Sequence, residues 1–164
     1  MKLFFLFAVL SYAQVDPPNY NFSLDQFDPF LPGQKFSSQW KQQHQAVLMS
    51  EKNNIQLYRL QIKQLRYVFS IFVGVKENII VDFYATLPTY FLHDVFHQSL
   101  INRFQKQDEY QLINGTALYT WKKNPQKKMI YSATCTITCF PIFLTVFNET
   151  VTGPHSLYYS LSVN

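Results

Sequence analysis

The sequence predicts an α+β domain, with two helices packed on one face of a curved antiparallel sheet of about seven strands. Three observations predict it. Good helix formers run from Ser38 to Arg66, the hydrophobic period changes from 3.6 to 2 at Tyr67, and Asn114-Gly115 joins two alternating segments.

The chain opens "MKLFFLFAVLSYAQ". Lys2 is followed by an apolar run from Leu3 to Leu10, and Ser11 and Ala13 are small residues placed for cleavage after Ala13. This is the layout of a secretory signal peptide over residues 1–13, with too short an apolar run to span a bilayer. No later run is long enough to cross a membrane, so the expected product is a secreted, extracellular protein without a transmembrane segment. Three N-glycosylation sequons agree with that address: Asn21-Phe22-Ser23, Asn114-Gly115-Thr116 and Asn148-Glu149-Thr150. Loss of Lys2 would lower the formal net charge from +4 to +3, too mild an excess to argue for nucleic acid as a partner.

Residues 14–36 carry Pro17, Pro18, Pro29 and Pro32 and keep no regular period, which predicts an extended arm. Its aromatics (Phe22, Phe27, Phe30) predict that it lies against the body of the chain. Residues 37–164 then form one α+β domain. Ser38 caps a helix running to about Arg66, with Trp40, His44, Val47, Ile55, Tyr58, Ile62 and Leu65 at three-and-four spacing and Asn53-Asn54 as its weak point. "YVFSIFVGV" and "IIVDFYA" form a hairpin about Lys76-Glu77-Asn78, and a second helix runs from Pro88 to about Lys106. A two-residue loop at Asn114-Gly115 pairs Ile113 with Thr116, Leu112 with Ala117 and Tyr110 with Tyr119. Alternation from Met129 to Cys139 reads as one strand, and "IFLTVF" and "SLYYSLSV" read as two more.

The second helix carries "LHDVFHQSL". His93 and His97, four residues apart, can in principle share a zinc ion, and Asp94 stands where zinc hydrolases of the H-E-x-x-H type have their glutamate. Aspartate is one methylene shorter, and it falls on the polar lane of the helix. A third ligand is missing at any recognised spacing, leaving only His155, Glu109 and Glu149. The expectation is therefore no metal and no cofactor, with His93 and His97 as border residues of a packed helix. Glycine loops for phosphate and serine or cysteine nucleophile motifs are likewise missing, so no catalytic residues are assigned.

"WKKNPQKK" gathers Lys122, Lys123, Lys127 and Lys128 at one hairpin tip above Trp121, a candidate site for an acidic glycan or other anionic ligand and for weak contact with anionic surfaces. Cys135 and Cys139 are the only cysteines. Secretion favours a disulfide, but residues four apart on a regular strand lie roughly 13 Å from one another, against about 7 Å for a bridge. A broken strand with a local bridge, bonds to other chains, and two buried thiols all remain open. The regular alternation favours the thiols.

A long helix across an antiparallel sheet resembles the layout of cystatin-like and NTF2-like domains, as an analogy of shape. Cystatins carry Gln-x-Val-x-Gly between two strands. The matching stretch, Ser70-Ile71-Phe72-Val73-Gly74, has no glutamine, so protease inhibition is not implied. The leading expectation is a non-enzymatic binding protein whose partner is a protein, a glycan or a hydrophobic ligand. Behind it stand a carrier of a hydrophobic small molecule or lipid and, third, a metal-dependent hydrolase using His93 and His97. An enclosed apolar pocket would favour the carrier, and a filled core with an exposed patch the binder.

Overall fold

The computed structural model describes residues 22–64, 67–88, 91–124, 126–135 and 139–161. The proposed signal peptide, the start of the arm and Asn21 lie outside them. So do Leu65, Arg66, Thr89, Pro125 and Ile137. The fold is α+β: one curved antiparallel sheet of eight strands, in the order β1-β2-β3-β4-β8-β7-β6-β5, with short helices. The strands are β1 (Val47–Lys52), β2 (Ile55–Gln64), β3 (Tyr67–Lys76), β4 (Ile79–Leu87), β5 (Glu109–Ile113), β6 (Thr116–Asn124), β7 (Lys127–Cys135) and β8 (Cys139–Asn148). The helices are α1 (Ser38–Gln43), α2 (His93–Phe104) and α3 (Leu157–Leu161).

The eighth strand comes from the region expected to be helical. Only Ser38–Gln43 is α-helix, and β1 and β2 replace the remainder. Asn53 and Asn54 have φ of 52° and 59°, the pair of positive values that a type I′ hairpin requires and that asparagine tolerates. Tyr58, Leu60 and Ile62 are buried while Arg59, Gln61 and Lys63 are exposed, so the operative period in β2 is two. The β3–β4 hairpin turns on Glu77 and Asn78 with the same geometry. The β5–β6 register is the one predicted, Ile113 opposite Thr116 through Tyr110 opposite Tyr119.

Two further expectations fail. The strand through Met129–Cys139 ends at Cys135, and β8 begins at Cys139, directly opposite it. Residues Leu157–Leu161, expected as strand, are helical. The side chain of Asp82 supports this helix: Oδ2 accepts the backbone N–H of Leu157 at 2.7 Å, satisfying a donor at the helix start.

The strand series falls into two halves, α1-β1-β2-β3-β4 and α2-β5-β6-β7-β8. Each element recurs about 60 residues on, as Tyr67 and Lys127 at the starts of β3 and β7 illustrate. The halves meet where β4 pairs with β8, Ala85 opposite Leu144, which makes them equivalent by a pseudo-twofold rotation about the sheet normal. The equivalent outer strands, β1 and β5, are the two edges.

One aromatic-rich core joins the sheet to the helices. The segment expected to be extended instead forms a 3-10 helix, Leu24–Phe30, started by Ser23 and burying Leu24, Phe27 and Phe30. Phe22 and Phe27 pack with Phe69, Phe83, Phe91 and Phe96, centroids 5.0–6.5 Å apart. Arg103 of α2 ties this segment down through ion pairs to Asp25 and Asp28. Burial explains the high phenylalanine content: each ring this deep is worth about 3–5 kcal/mol against truncation to alanine.

Candidate functional site

The residues singled out by sequence fall into three places: a histidine–tyrosine–disulfide cluster, the lysine hairpin, and the β5–β6 corner. The cluster forms because His93 and His97 lie one turn apart on α2, above Tyr119 of β6 and Tyr131 of β7. Phe96 and Leu100 of the same helix are buried and fix its rotation. His93 Nδ1 lies 2.9 Å from Tyr131 Oη, and its side chain is 12% exposed. Burial holds the Tyr131 phenol far above its ordinary range, so the hydroxyl keeps its proton and donates to His93 or accepts from it according to the imidazole tautomer.

The two imidazoles are parallel, with centroids 5.7 Å apart, and His97 contacts the Tyr119 ring at 4.0 Å. Burial lowers the pKa of both histidines, and the proximity of His93 lowers His97 further. Their charged forms are disfavoured, and His97 Nε2 is buried with no hydrogen-bond partner. Asp94 is fully exposed, and its Oδ1 lies 3.9 Å from His93 Nε2.

Cys135 and Cys139 are joined by a disulfide, with Cα atoms 3.9 Å apart. The expectation of two buried thiols is overturned. The physical reason is the reversal between β7 and β8: the alternation of apolar residues continues in sequence while the chain turns back, so residues four apart become cross-strand neighbours. A ring nitrogen of His93 and the two sulfurs all lie within 4.8 Å of one another. Sequence reasoning missed this juxtaposition because 42 residues separate His93 from Cys135 and only the sheet order unites them.

The four lysines are not drawn into one patch. Lys122 and Lys128 are cross-strand partners on one face, where they pair with Glu109 and Glu149. Lys123 lies over the Phe104 ring at 3.5 Å on the other face, and burial lowers its pKa. Lys127 reaches toward Gly33. Trp121 is buried, with Nε1 donating to Gln105 O at 2.9 Å, so it serves the core and the end of α2.

Asn114 is exposed at the β5–β6 turn, and Asn148 is half-buried, its side-chain oxygen accepting from Thr150. Beside Asn114 the edge strand β5 exposes Tyr110, Leu112 and Ile113, at 54%, 64% and 50%. The opposite edge also exposes Val47, Leu48 and Met49. Its register shifts between Leu48 and Ser50, and Glu51 and Lys52 follow, devices that disfavour pairing. Strand β5 has neither a bulge nor a proline.

No family model, no curated protein and no solved structure matches this chain.

Proposed function

We propose that this chain is a secreted, N-glycosylated, non-enzymatic binding protein that adds an extended segment of a partner protein as a further strand on the outer edge of β5. The observation that carries this reading is the regular, apolar edge of β5, which no strand among the described residues pairs. Its outward N–H and C=O groups offer affinity to any extended chain, and Tyr110 and Leu112, on one face of the strand, offer selectivity for alternating apolar side chains. The Cys135–Cys139 bridge supports an oxidising address, in keeping with the leader and the sequons.

The clefts that could hold a small molecule favour the carrier less. They are open surface grooves of about 350–440 Å³, one lined by Lys35, Phe36, Ser37, Lys41 and Ile79 and another by Glu51, Gln56 and Val75. Aromatic rings occupy the space between helices and sheet.

The test is selection of a displayed peptide library on the purified glycoprotein. Selected peptides should alternate apolar and polar residues, and Leu112→Lys should abolish their binding while leaving the circular dichroism intact. Undiminished binding by Leu112→Lys, or a wild-type glycoprotein that pairs with itself through β5, would overturn the reading. Protein recovered from the medium should begin at Gln14 and lose mass on glycosidase treatment. Material that retains Met1 would sink the secreted address.

A further inference from the structure

We propose that His93, Cys135 and Cys139 form a redox-gated site for a soft divalent cation of the zinc class, closed by the disulfide and opened by a dithiol reductant. The ligand chemistry is Cys2His, with a fourth position left for water or an exogenous donor, a set that zinc accepts. The two cysteines have the Cys-x3-Cys spacing common among zinc ligands, and here they face one another across β7 and β8. His93, first residue of α2, supplies the third donor from a separate element, within 4.8 Å of both sulfurs. Around tetrahedral zinc, ligand atoms stand about 3.3–3.8 Å apart, given Zn–N of roughly 2.0 Å and Zn–S of roughly 2.3 Å. The sulfurs must therefore separate from bonded contact, and the imidazole must close in by about an ångström. Side-chain rotation accomplishes both.

The surroundings suit the role. In the tautomer in which His93 Nδ1–H donates to Tyr131 Oη at 2.9 Å, the contact is the outer-shell kind that orients a ligating imidazole, and Nε2 is left unprotonated for the metal. Cys135 is exposed and Cys139 half-buried, which gives reductant and cation access from solvent.

The chemistry balances. A dithiol gives two electrons and two protons to the Cys135–Cys139 bond and becomes a disulfide itself. The two thiols then release two protons as the cation forms two metal–sulfur bonds. A small-molecule disulfide reverses this: it takes the two electrons and two protons, becomes a dithiol, and the Cys135–Cys139 bond re-forms as the metal leaves. The fold does not depend on the bridge, which closes a loop of only five residues, and the β7–β8 ladder from Lys127–Asn148 to Ala133–Ile142 stands without it.

Cobalt(II) is the probe, since tetrahedral thiolate coordination gives it strong visible and near-ultraviolet bands. The full chain, reduced with a dithiol and freed of it under nitrogen, should develop these bands to one equivalent, and zinc should bleach them. The oxidised protein and Cys135→Ser/Cys139→Ser should show none. His93→Gln should weaken binding at least tenfold, whereas His155→Gln, remote from the site, should match wild type. Reduced wild type without the bands, whether folded or unfolded, would overturn the proposal. Equal affinity in His93→Gln would do so too, because a bare cysteine pair would then suffice.

Discussion

Asp82 is the most constrained charged residue among those described. It is 2% exposed on β4, opposite Gly74, where any β-carbon would meet the Asp82 Cβ at 3.0 Å. One carboxylate oxygen accepts from Leu157 and the other is unpartnered. Burial pushes its pKa up to about 8, the Leu157 and Phe83 amides opposing this only in part. The folded state thus holds a proton that the unfolded chain releases above about 3.8, so the stability it contributes is full in acid and is lost as pH rises toward 8. The effect is on the order of 4 kcal/mol by pH 7, at 1.36 kcal/mol per unit. Asp82→Asn keeps an acceptor for Leu157 and cannot ionise. Urea unfolding at pH 5 and pH 8 should show a fall in wild type that the variant lacks, and parallel falls would clear Asp82 of the effect.

The histidines have the opposite sign. Burial lowers the folded pKa of His93 and His97 below 6.5, so their share of stability is present above that pH and is lost as pH falls through the lowered values. Exposed Asp94 opposes the shift weakly, while Tyr119 and Tyr131 stay neutral against the rings. His93→Gln/His97→Gln should flatten the loss of stability between pH 7 and pH 5, read from urea midpoints. An unchanged acid slope would show that other groups carry it.

At the scale of elements, legibility followed how local the deciding interaction is. Asn114-Gly115 fixed its hairpin register because the turn itself demands two positive φ values, 49° and 80°. Asn53-Asn54 makes the same demand, yet the Gln, Lys, Leu and Arg around it are helix formers, and β2 earns its burial from neighbours far along the chain. The bridge between Cys135 and Cys139 was hidden by alternation that runs on through a reversal, and helix α3 by its dependence on Asp82, 75 residues away. The candidate metal ligands share that difficulty: one of them reaches the cysteines only through the β4–α2–β5 crossover. Asn54→Val forces a β-branched residue into the left-handed region at φ 59° and should cost about 1–2 kcal/mol, whereas Asn54→Gly should be nearly neutral. Equal costs for the two would mean that the side chain, not the backbone, holds the turn.

At the scale of the molecule, the pseudo-twofold gives the sheet two equivalent edges that are managed differently. Strand β1 is bulged and ends in charge, whereas β5 is regular and apolar. An unprotected edge invites pairing between copies. Antiparallel pairing of two β5 strands about Gln111 would set Tyr110 of each copy against Leu112 of the other, a favourable cross-strand pair. The sequon at Asn114, the residue that follows β5, sits where a glycan would shield this edge from large flat surfaces while admitting a single extended peptide. If Asn114 is glycosylated, the glycoprotein should therefore sediment as a monomer, and Asn114→Gln should associate with itself as concentration rises. Leu112→Lys in the Asn114→Gln background should restore the monomer, because a lysine opposite Tyr110 of a second copy costs the pair its apolar contact and brings two like charges together. Sedimentation velocity of the three proteins decides the matter. A monomeric Asn114→Gln, or association that survives Leu112→Lys, would remove β5 as the edge that the glycan guards.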